Sequence, residues 1–123
     1  MAAHAFEMGA SFFGEPQSSF LSARRVCELL GVTQAELAKL IGVARNTLTA
    51  RSGARKVDAA LSPVVRILAM ASEMAGNENR AAIWFKHQPI PGWAGKTAYD
   101  LVGEGKADKV LAYLEAVRSG VYA

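Results

Sequence analysis

The sequence predicts an all-α fold, and its composition carries that prediction. Helix formers such as Ala, Leu, Glu, Lys and Arg are plentiful among the 123 residues, and long β-branched runs are absent. Hydrophobic residues make up 51% of the chain, which is enough for a core in a protein of one-domain size. We divide the chain into an N-terminal arm (1–17), a helix-turn-helix region (18–61) and a second helical region (62–123).

The N-terminal arm shows no helical periodicity. It contains glycines and a proline, and it also contains three aromatic residues that would be awkward in a fully solvated tail: Phe6, Phe12 and Phe13. We expect the arm either to be loose or to dock on another surface, for example across a dimer.

Three short helices are predicted next. The first is capped by Ser18 or Ser19 and ends at Gly31. Thr33 and Glu36 have the spacing of a capping box, in which each side chain bonds the backbone amide of the other residue, so Thr33 begins the second helix. Its buried face is predicted to be Leu37, Ala38, Leu40 and Ile41, and Gly42 ends the helix. A third helix is expected from Ala44 to Arg51.

The second region is predicted to hold four helices. Ser62 and Pro63 have the residue types of a cap and a first helical position, so we expect a helix to begin there. Its inner face is predicted to be Val64, Ile67, Leu68, Ala71 and Met74. Asn77 or Asn79 should open the next helix, which runs through Phe85.

A rigid loop and two helices complete the prediction. Four residues between positions 89 and 95 exclude a helix and fix a loop around Trp93: Pro89, Pro91, Gly92 and Gly95. Thr97 should cap a short helix, Ala98 to Val102, with Asp100 at the capping-box position. The final helix is expected from Lys106 to Ser119, ended by Gly120, with the apolar stripe Val110, Leu111, Leu114 and Val117.

The segment from Gln34 to Thr49 has helix-turn-helix spacing. Ala38 is small where two helices cross closely, and Gly42 supplies the sharp turn four residues later. In this motif the outward face of the second helix enters the major groove of DNA. Base contacts are then assigned to Arg45, Asn46 and Thr49, and phosphate contacts to Thr33, Gln34, Arg51, Arg55 and Lys56.

The motif departs from its usual pattern at two positions. Ala44 stands where a capping serine is usual. Arg51 falls where the motif prefers an apolar residue, so either its side chain snorkels or the helix frays early at Ser52-Gly53. The alternative is a helical hairpin that serves packing alone and does not bind DNA. Residues 24–66 carry eight basic residues and three acids, which fits either a polyanion partner or a solvated cationic face.

The chain carries an ordered set of segments: ELLGVTQAELA (28–38), NTL (46–48), AAIWF (81–85), the Pro/Gly loop, GKTAYDLV (95–102), EG (104–105), VLAYLEAV (110–117) and GVY (120–122). In these segments the chain resembles the Xre/MbcA/ParS-type antitoxins, from about Phe20 to its end. The second half of this pattern is more specific for the family, because many transcriptional regulators share the first half. One departure is Ala98-Tyr99, where the family more often reads Pro-Leu.

This resemblance implies the antitoxin of a type II toxin–antitoxin system. The matching toxins have a RES domain and consume NAD, and the antitoxin covers the entrance of the toxin's active site. It is usually a homodimer, it assembles with toxin into a heterotetramer or larger complex, and the complex represses its own operon. We assign toxin contacts to Trp93, Lys96, Tyr99, Arg118, Gly120, Val121, Tyr122 and Ala123.

Alternatives remain for individual residues and for the whole chain. Trp84 is expected in the core, Trp93 in either core or interface, and the tail after Gly120 either enters the toxin or packs back on its own domain. The other function considered is a stand-alone helix-turn-helix repressor with a C-terminal dimerisation or ligand domain.

Several other classes of function are disfavoured. The chain has no Gly-rich phosphate loop and no Cys/His cluster, so we expect no catalytic site, no cofactor and no metal. No apolar run reaches the roughly 20 residues that span a bilayer. The N-terminus lacks the basic residues of a secretory signal, and Cys27 fits a buried thiol, so a cytoplasmic location is expected.

Overall fold

A computed structural model describes residues 22–120, except for the side chains of Thr49 and Arg51. The predicted arm, the candidate caps Ser18 and Ser19, and the tail 121–123 lie outside the described residues. Within them, the chain forms seven α-helices and one 3-10 turn, and no strand. The helices are α1 (Ala23–Leu30), α2 (Gln34–Ile41), α3 (Arg45–Thr49), α4 (Ala54–Ala75), α5 (Glu78–His87), α6 (Ala98–Gly103) and α7 (Ala107–Arg118), with the 3-10 turn at Arg51–Gly53.

The first two helices begin and end at residues whose local chemistry explains the boundary. Ser22, rather than Ser18 or Ser19, caps α1, because its hydroxyl accepts from the Arg25 amide. The capping box of α2 is confirmed: the Thr33 hydroxyl accepts from the Glu36 amide at 3.0 Å, and the Thr33 amide donates to the Glu36 carboxylate at 2.8 Å. Gly42 ends α2 with a φ of 76°, a left-handed conformation that favours glycine.

The prediction that a helix begins at Ser62 is wrong. α4 is a continuous helix of 22 residues that starts at Ala54 and carries Pro63 in its interior. The physical reason is that Val57 and Leu61 extend the buried stripe of Val64 and Leu68 upstream at helical spacing. Burial of that stripe outweighs the backbone hydrogen bond that Pro63 cannot donate.

Helix α4 is the axis of the molecule. Its sides pack against α5 and α7, its start packs against α3, and α6 lies between α2, α5 and α7. Contributions from α1, α2, α4, α5, α6 and α7, together with Ile90 from the loop, form a single core that includes Phe85, Leu101 and Leu114. Cys27 is buried in it as expected, and burial raises the pKa of its thiol.

The second region otherwise follows its predicted boundaries closely. Asn77, of the two candidates, caps α5 by accepting from the Arg80 amide at 2.8 Å. The loop around Trp93 is closed by a bridge between Pro89 and Thr97, with the Ile90 amide donating to the Lys96 carbonyl at 2.8 Å. The capping box of Thr97 and Asp100 at the start of α6 is confirmed.

Candidate nucleic-acid interface and C-terminal surface

The proposed base-reading helix is short and solvent-facing. Arg45 and Asn46 are exposed on α3, whereas Leu48 turns inward against the core. No side chain caps α3 at Ala44, as the sequence predicts. The helix ends at Thr49, so the expected extension to Arg51 is wrong, and the end comes before the predicted fraying at Ser52-Gly53.

The helix that follows α3 contributes basic side chains next to it. Arg55 and Lys56 are exposed in the first turn of α4, which packs against α3. Neither these two residues nor Arg45 forms an ion pair with any described residue. By contrast, Arg24 and Arg25 on α1 both form ion pairs with Glu28, and Arg25 also lies 3.9 Å from Glu78.

Of the remaining predicted phosphate contacts, Thr33 and Gln34 lie at the start of α2. Gln34 is exposed at the first position of α2. The Thr33 hydroxyl oxygen accepts from the Glu36 amide in the capping box. That box also lowers the pKa of the Glu36 carboxyl, because the Thr33 amide and hydroxyl favour the charged form. The side chains of Thr49 and Arg51 fall outside what the structure describes.

Gly53 joins α3 to α4 through a close backbone approach. A Cβ atom placed on it would lie 2.7 Å from the Thr47 carbonyl oxygen, a distance that no real Cβ tolerates. Only glycine therefore lets the first turn of α4 sit against α3 in this position. Nothing in the sequence points to this role, because Gly53 lies in a segment that is typical of an ordinary helix end.

In the C-terminal region, Trp93, Lys96 and two further charged residues form one surface cluster. The Glu104 carboxylate accepts from Lys96 Nζ at 2.9 Å and lies 3.3 Å from Lys106 Nζ. These two ammonium groups lower the pKa of the Glu104 carboxyl. Lys106 Nζ is also 5.5 Å from the centre of the Trp93 ring, a cation–π distance. Trp93 is half-buried against its own core, so its inner side packs while its outer side remains accessible.

Tyr99 is half-buried and also faces the first region. Its ring meets Phe85 edge-on, with centroids 6.0 Å apart, and burial raises the pKa of its phenol. It borders a cleft of about 330 Å³ between α2 and α6, together with Glu36, Lys39 and Leu40.

The last assigned residues lie at the opposite end of α7. Arg118 is exposed and pairs with Glu115, and Gly120 takes a φ of 84°, so the predicted helix stop is confirmed. Because a helix rises 1.5 Å per residue, Arg118 is about 18 Å along α7 from Lys106 and the Trp93 cluster. The assigned toxin contacts within the described residues therefore do not form one surface: Trp93 and Lys96 lie near the start of α7, Arg118 and Gly120 lie at its end, and Tyr99 borders the cleft between α2 and α6. The tail 121–123 is outside the described residues.

One apolar groove was missed by sequence reasoning. The sequence predicts Met74 on the inner face of its helix, yet 40% of it is exposed, because the core ends one turn earlier at Ala71. Met74 and the half-buried Trp84 form part of the walls of the groove. Its full lining is Ala71, Met74, Ala75, Trp84, Tyr113, Leu114 and Val117.

Comparison with known families fits this arrangement. Residues 18–66 match the antitoxin Xre-like helix-turn-helix domain, and residues 70–120 match the antitoxin Xre/MbcA/ParS C-terminal toxin-binding domain. The chain belongs to the Xre-type antitoxins. Neither family description is that of an enzyme. No significant match was found among curated proteins or among solved structures.

Metal-binding clusters and membrane-spanning helices are both absent from the described part of this antitoxin. No group of three or more His, Cys, Asp or Glu side chains in residues 22–120 could hold a metal ion. No single helix there has the length and apolar character to cross a membrane. Helices α4 and α5 together pass that test of length and composition, but they are bent by 115° at their junction.

Proposed function

We propose that this antitoxin neutralises a RES-domain, NAD-consuming toxin by covering its active site, and that it represses its own operon by binding operator DNA. The observation that carries the proposal is the family pair itself: a helix-turn-helix domain followed directly by a toxin-binding domain. The cognate toxin, a type II arrangement, a homodimer that assembles with toxin into a heterotetramer or larger complex, and a cytoplasmic location are parts of the proposal.

The DNA-binding half of the proposal is supported by the surface around α3. Arg45 and Asn46 are exposed where the motif enters the major groove, and they suit bidentate contacts to guanine and adenine. Arg55 and Lys56 flank them without an ion pair to any described residue, so their charge is available to phosphates.

Operator binding is tested by fluorescence anisotropy with the DNA upstream of the operon. Arg45→Ala and Asn46→Ala should each weaken specific binding by about 1–3 kcal/mol and leave non-specific binding nearly unchanged. Arg55→Ala and Lys56→Ala should weaken binding to every sequence and lower the slope of log K against log salt by about 1 each. Arg24→Ala is the matched control, an exposed arginine on α1 paired with Glu28. The absence of any salt-sensitive binding, with or without toxin, would refute this half.

The toxin-binding half is supported by the match of residues 70–120 to the toxin-binding domain. Gly120 ends α7 in a left-handed conformation, and the proposal assigns the residues that follow it in the sequence, Val121 to Ala123, to the toxin's active site. A site that binds NAD holds its phosphates with cationic groups. A carboxylate that enters such a site can take the place of a phosphate, because it accepts charge-assisted hydrogen bonds from the same groups.

Neutralisation is tested by deleting residues 121–123. The truncated protein should keep its unfolding midpoint but lose growth rescue when co-expressed with the toxin. Arg118→Ala tests whether the effect extends to the end of α7, and Ile83→Ala, an exposed apolar residue on α5, is the control. If the truncated protein still neutralises the toxin, the tail does not block the active site. If no NAD-consuming partner co-purifies at all, the chain acts as a stand-alone repressor.

A further inference from the structure

The apolar groove between α4, α5 and α7 contains none of the residues assigned to DNA or toxin contacts. Its volume is about 190 Å³. Leu114 and Ala71 form its floor, with 3% and 4% of their surface exposed, while Met74, Trp84 and Val117 form accessible walls. Its residues on α7, Tyr113, Leu114 and Val117, lie about 10–17 Å along that helix from Lys106 and the Trp93 cluster. Its lining is almost entirely apolar, so an apolar segment would gain free energy by covering it.

The start of the described chain packs against α5, the helix that contributes Trp84 to this groove. Helix α1 packs against α5, and Arg25 in its first turn lies 3.9 Å from Glu78, the first residue of α5. Glu78 follows the groove residue Ala75 by only three positions. Residues 1–21 therefore precede a helix, α1, whose first turn contacts the start of α5.

The composition of residues 1–21 suits an apolar groove. They contain no Lys or Arg, and they include four phenylalanines: Phe6, Phe12, Phe13 and Phe20. An extended chain covers about 3.3–3.6 Å per residue, so even half of this segment could reach the length of α7 from Ser22. The three residues after Gly120 offer one aromatic ring, and the proposed function uses them elsewhere.

We propose that the N-terminal segment, residues 1–21, docks into this groove of the same chain through its phenylalanine side chains. The segment then clamps α1 to the end of α4 and covers Trp84. This interaction ties the start of the helix-turn-helix region to the toxin-binding region, and it needs neither DNA nor toxin.

The test uses Trp84 as the only tryptophan, in a Trp93→Phe background. Replacing Phe6, Phe12, Phe13 and Phe20 by Ser in the full chain should shift Trp84 emission to the red and increase its quenching by acrylamide. Glu7→Gln with Glu15→Gln in the same segment is the control and should leave the emission unchanged. Circular dichroism checks that both variants remain folded.

A second arm identifies the groove as the binding surface. A protein lacking residues 1–20 should show the same red shift, and adding a peptide of residues 1–21 should reverse it. Met74→Glu, on the groove wall, should abolish this reversal, whereas Ile83→Glu, which is more exposed but outside the groove, should not.

Three results would overturn the proposal. The serine variant and the truncated protein could both leave Trp84 unchanged, which would mean that the segment does not cover the groove. Deletion of residues 121–123 alone could cause the red shift, which would assign the groove to the tail. The emission of the intact chain could depend on protein concentration, which would assign the groove to a second copy.

Discussion

Gly53 holds the recognition helix in place by lacking a side chain. Its φ is −93°, which any residue adopts, so backbone strain is not the reason for glycine here. The reason is contact, since a Cβ would lie 2.7 Å from both the carbonyl oxygen and the Cγ2 atom of Thr47. The carbonyl oxygen belongs to the backbone of α3, so the helix itself would have to move. The position of α3 relative to Arg55 and Lys56 thus depends on this residue.

We expect Gly53→Ala to destabilise the fold by about 1–3 kcal/mol, because the added methyl group forces α3 and α4 apart. Operator affinity should fall further than the loss of stability explains, since base and phosphate contacts would no longer align. Urea unfolding and fluorescence anisotropy measure the two effects. Gly103→Ala is the matched control: its Cβ would meet Leu40 at 3.8 Å, an ordinary contact, so it should be neutral or stabilising. Equal behaviour of the two variants would contradict this role.

At the scale of elements, Pro63 shows how a buried stripe overrides a local signal. Ser-Pro is a common helix start, yet the helix extends nine residues upstream, because Val57 and Leu61 are buried on the same face as Val64. Pro63 leaves the carbonyl of Ala59 without its usual backbone donor.

Pro63→Ala should therefore raise the free energy of unfolding, by up to about 3 kcal/mol, since it restores that hydrogen bond and removes the ring's clash with the preceding turn. Thermal and urea unfolding provide the measurement. Ser62→Ala, the neighbouring residue on the same helix, controls for the helix propensity of alanine. A lower midpoint for Pro63→Ala would mean that its half-buried ring contributes more by packing than it costs.

Ion pairs of Glu104 with Lys96 and Lys106 link the loop that carries Trp93 to the end of α6, so the stability of this link depends on pH. The pKa of Glu104 is lowered by Lys96 and Lys106, so its stabilising contribution is fully present above the ordinary carboxyl pKa. That contribution is lost as the pH falls from the ordinary pKa through the lowered one.

Glu104→Gln should reduce the melting temperature at neutral pH, and the difference from the natural protein should disappear in acid across that window. Because the residue is solvent-exposed, a small effect is expected. Melting curves recorded against pH give the measurement. Glu73→Gln, an exposed carboxylate that forms no ion pair with a described residue, controls for net charge. A difference that persists at the acid end would exclude ionisation of Glu104 as its cause.

Elements with local signals were predictable from the sequence, and surfaces built by distant residues were not. Both capping boxes, the glycine stop after α2 and the loop around Trp93 rest on residues within a few positions of each other. The groove beside Trp84 requires three helices to meet, and the contact of Gly53 with Thr47 requires two. Periodicity indicates the face of one helix but not where its partner helix ends, which is why it places Met74 in the core.

At the scale of the whole molecule, the two family domains share one core. Val26 and Leu37 from the helix-turn-helix region belong to the same buried cluster as Phe85 and Leu114. Helix α4 passes through both regions without a break, and α6 packs directly against α2. The regions therefore differ in their predicted functions but share one hydrophobic core.

This sharing predicts that the chain unfolds in one cooperative transition. Leu37 is fully buried in α2, so Leu37→Ala should cost about 2–5 kcal/mol, and both tryptophans lie in the other region. The midpoint of the tryptophan fluorescence transition should fall by the same amount as the midpoint from circular dichroism. Lys39→Ala, on the exposed face of the same helix, should move neither. If the fluorescence midpoint stays at its original value while part of the helical signal melts earlier, the two regions fold independently.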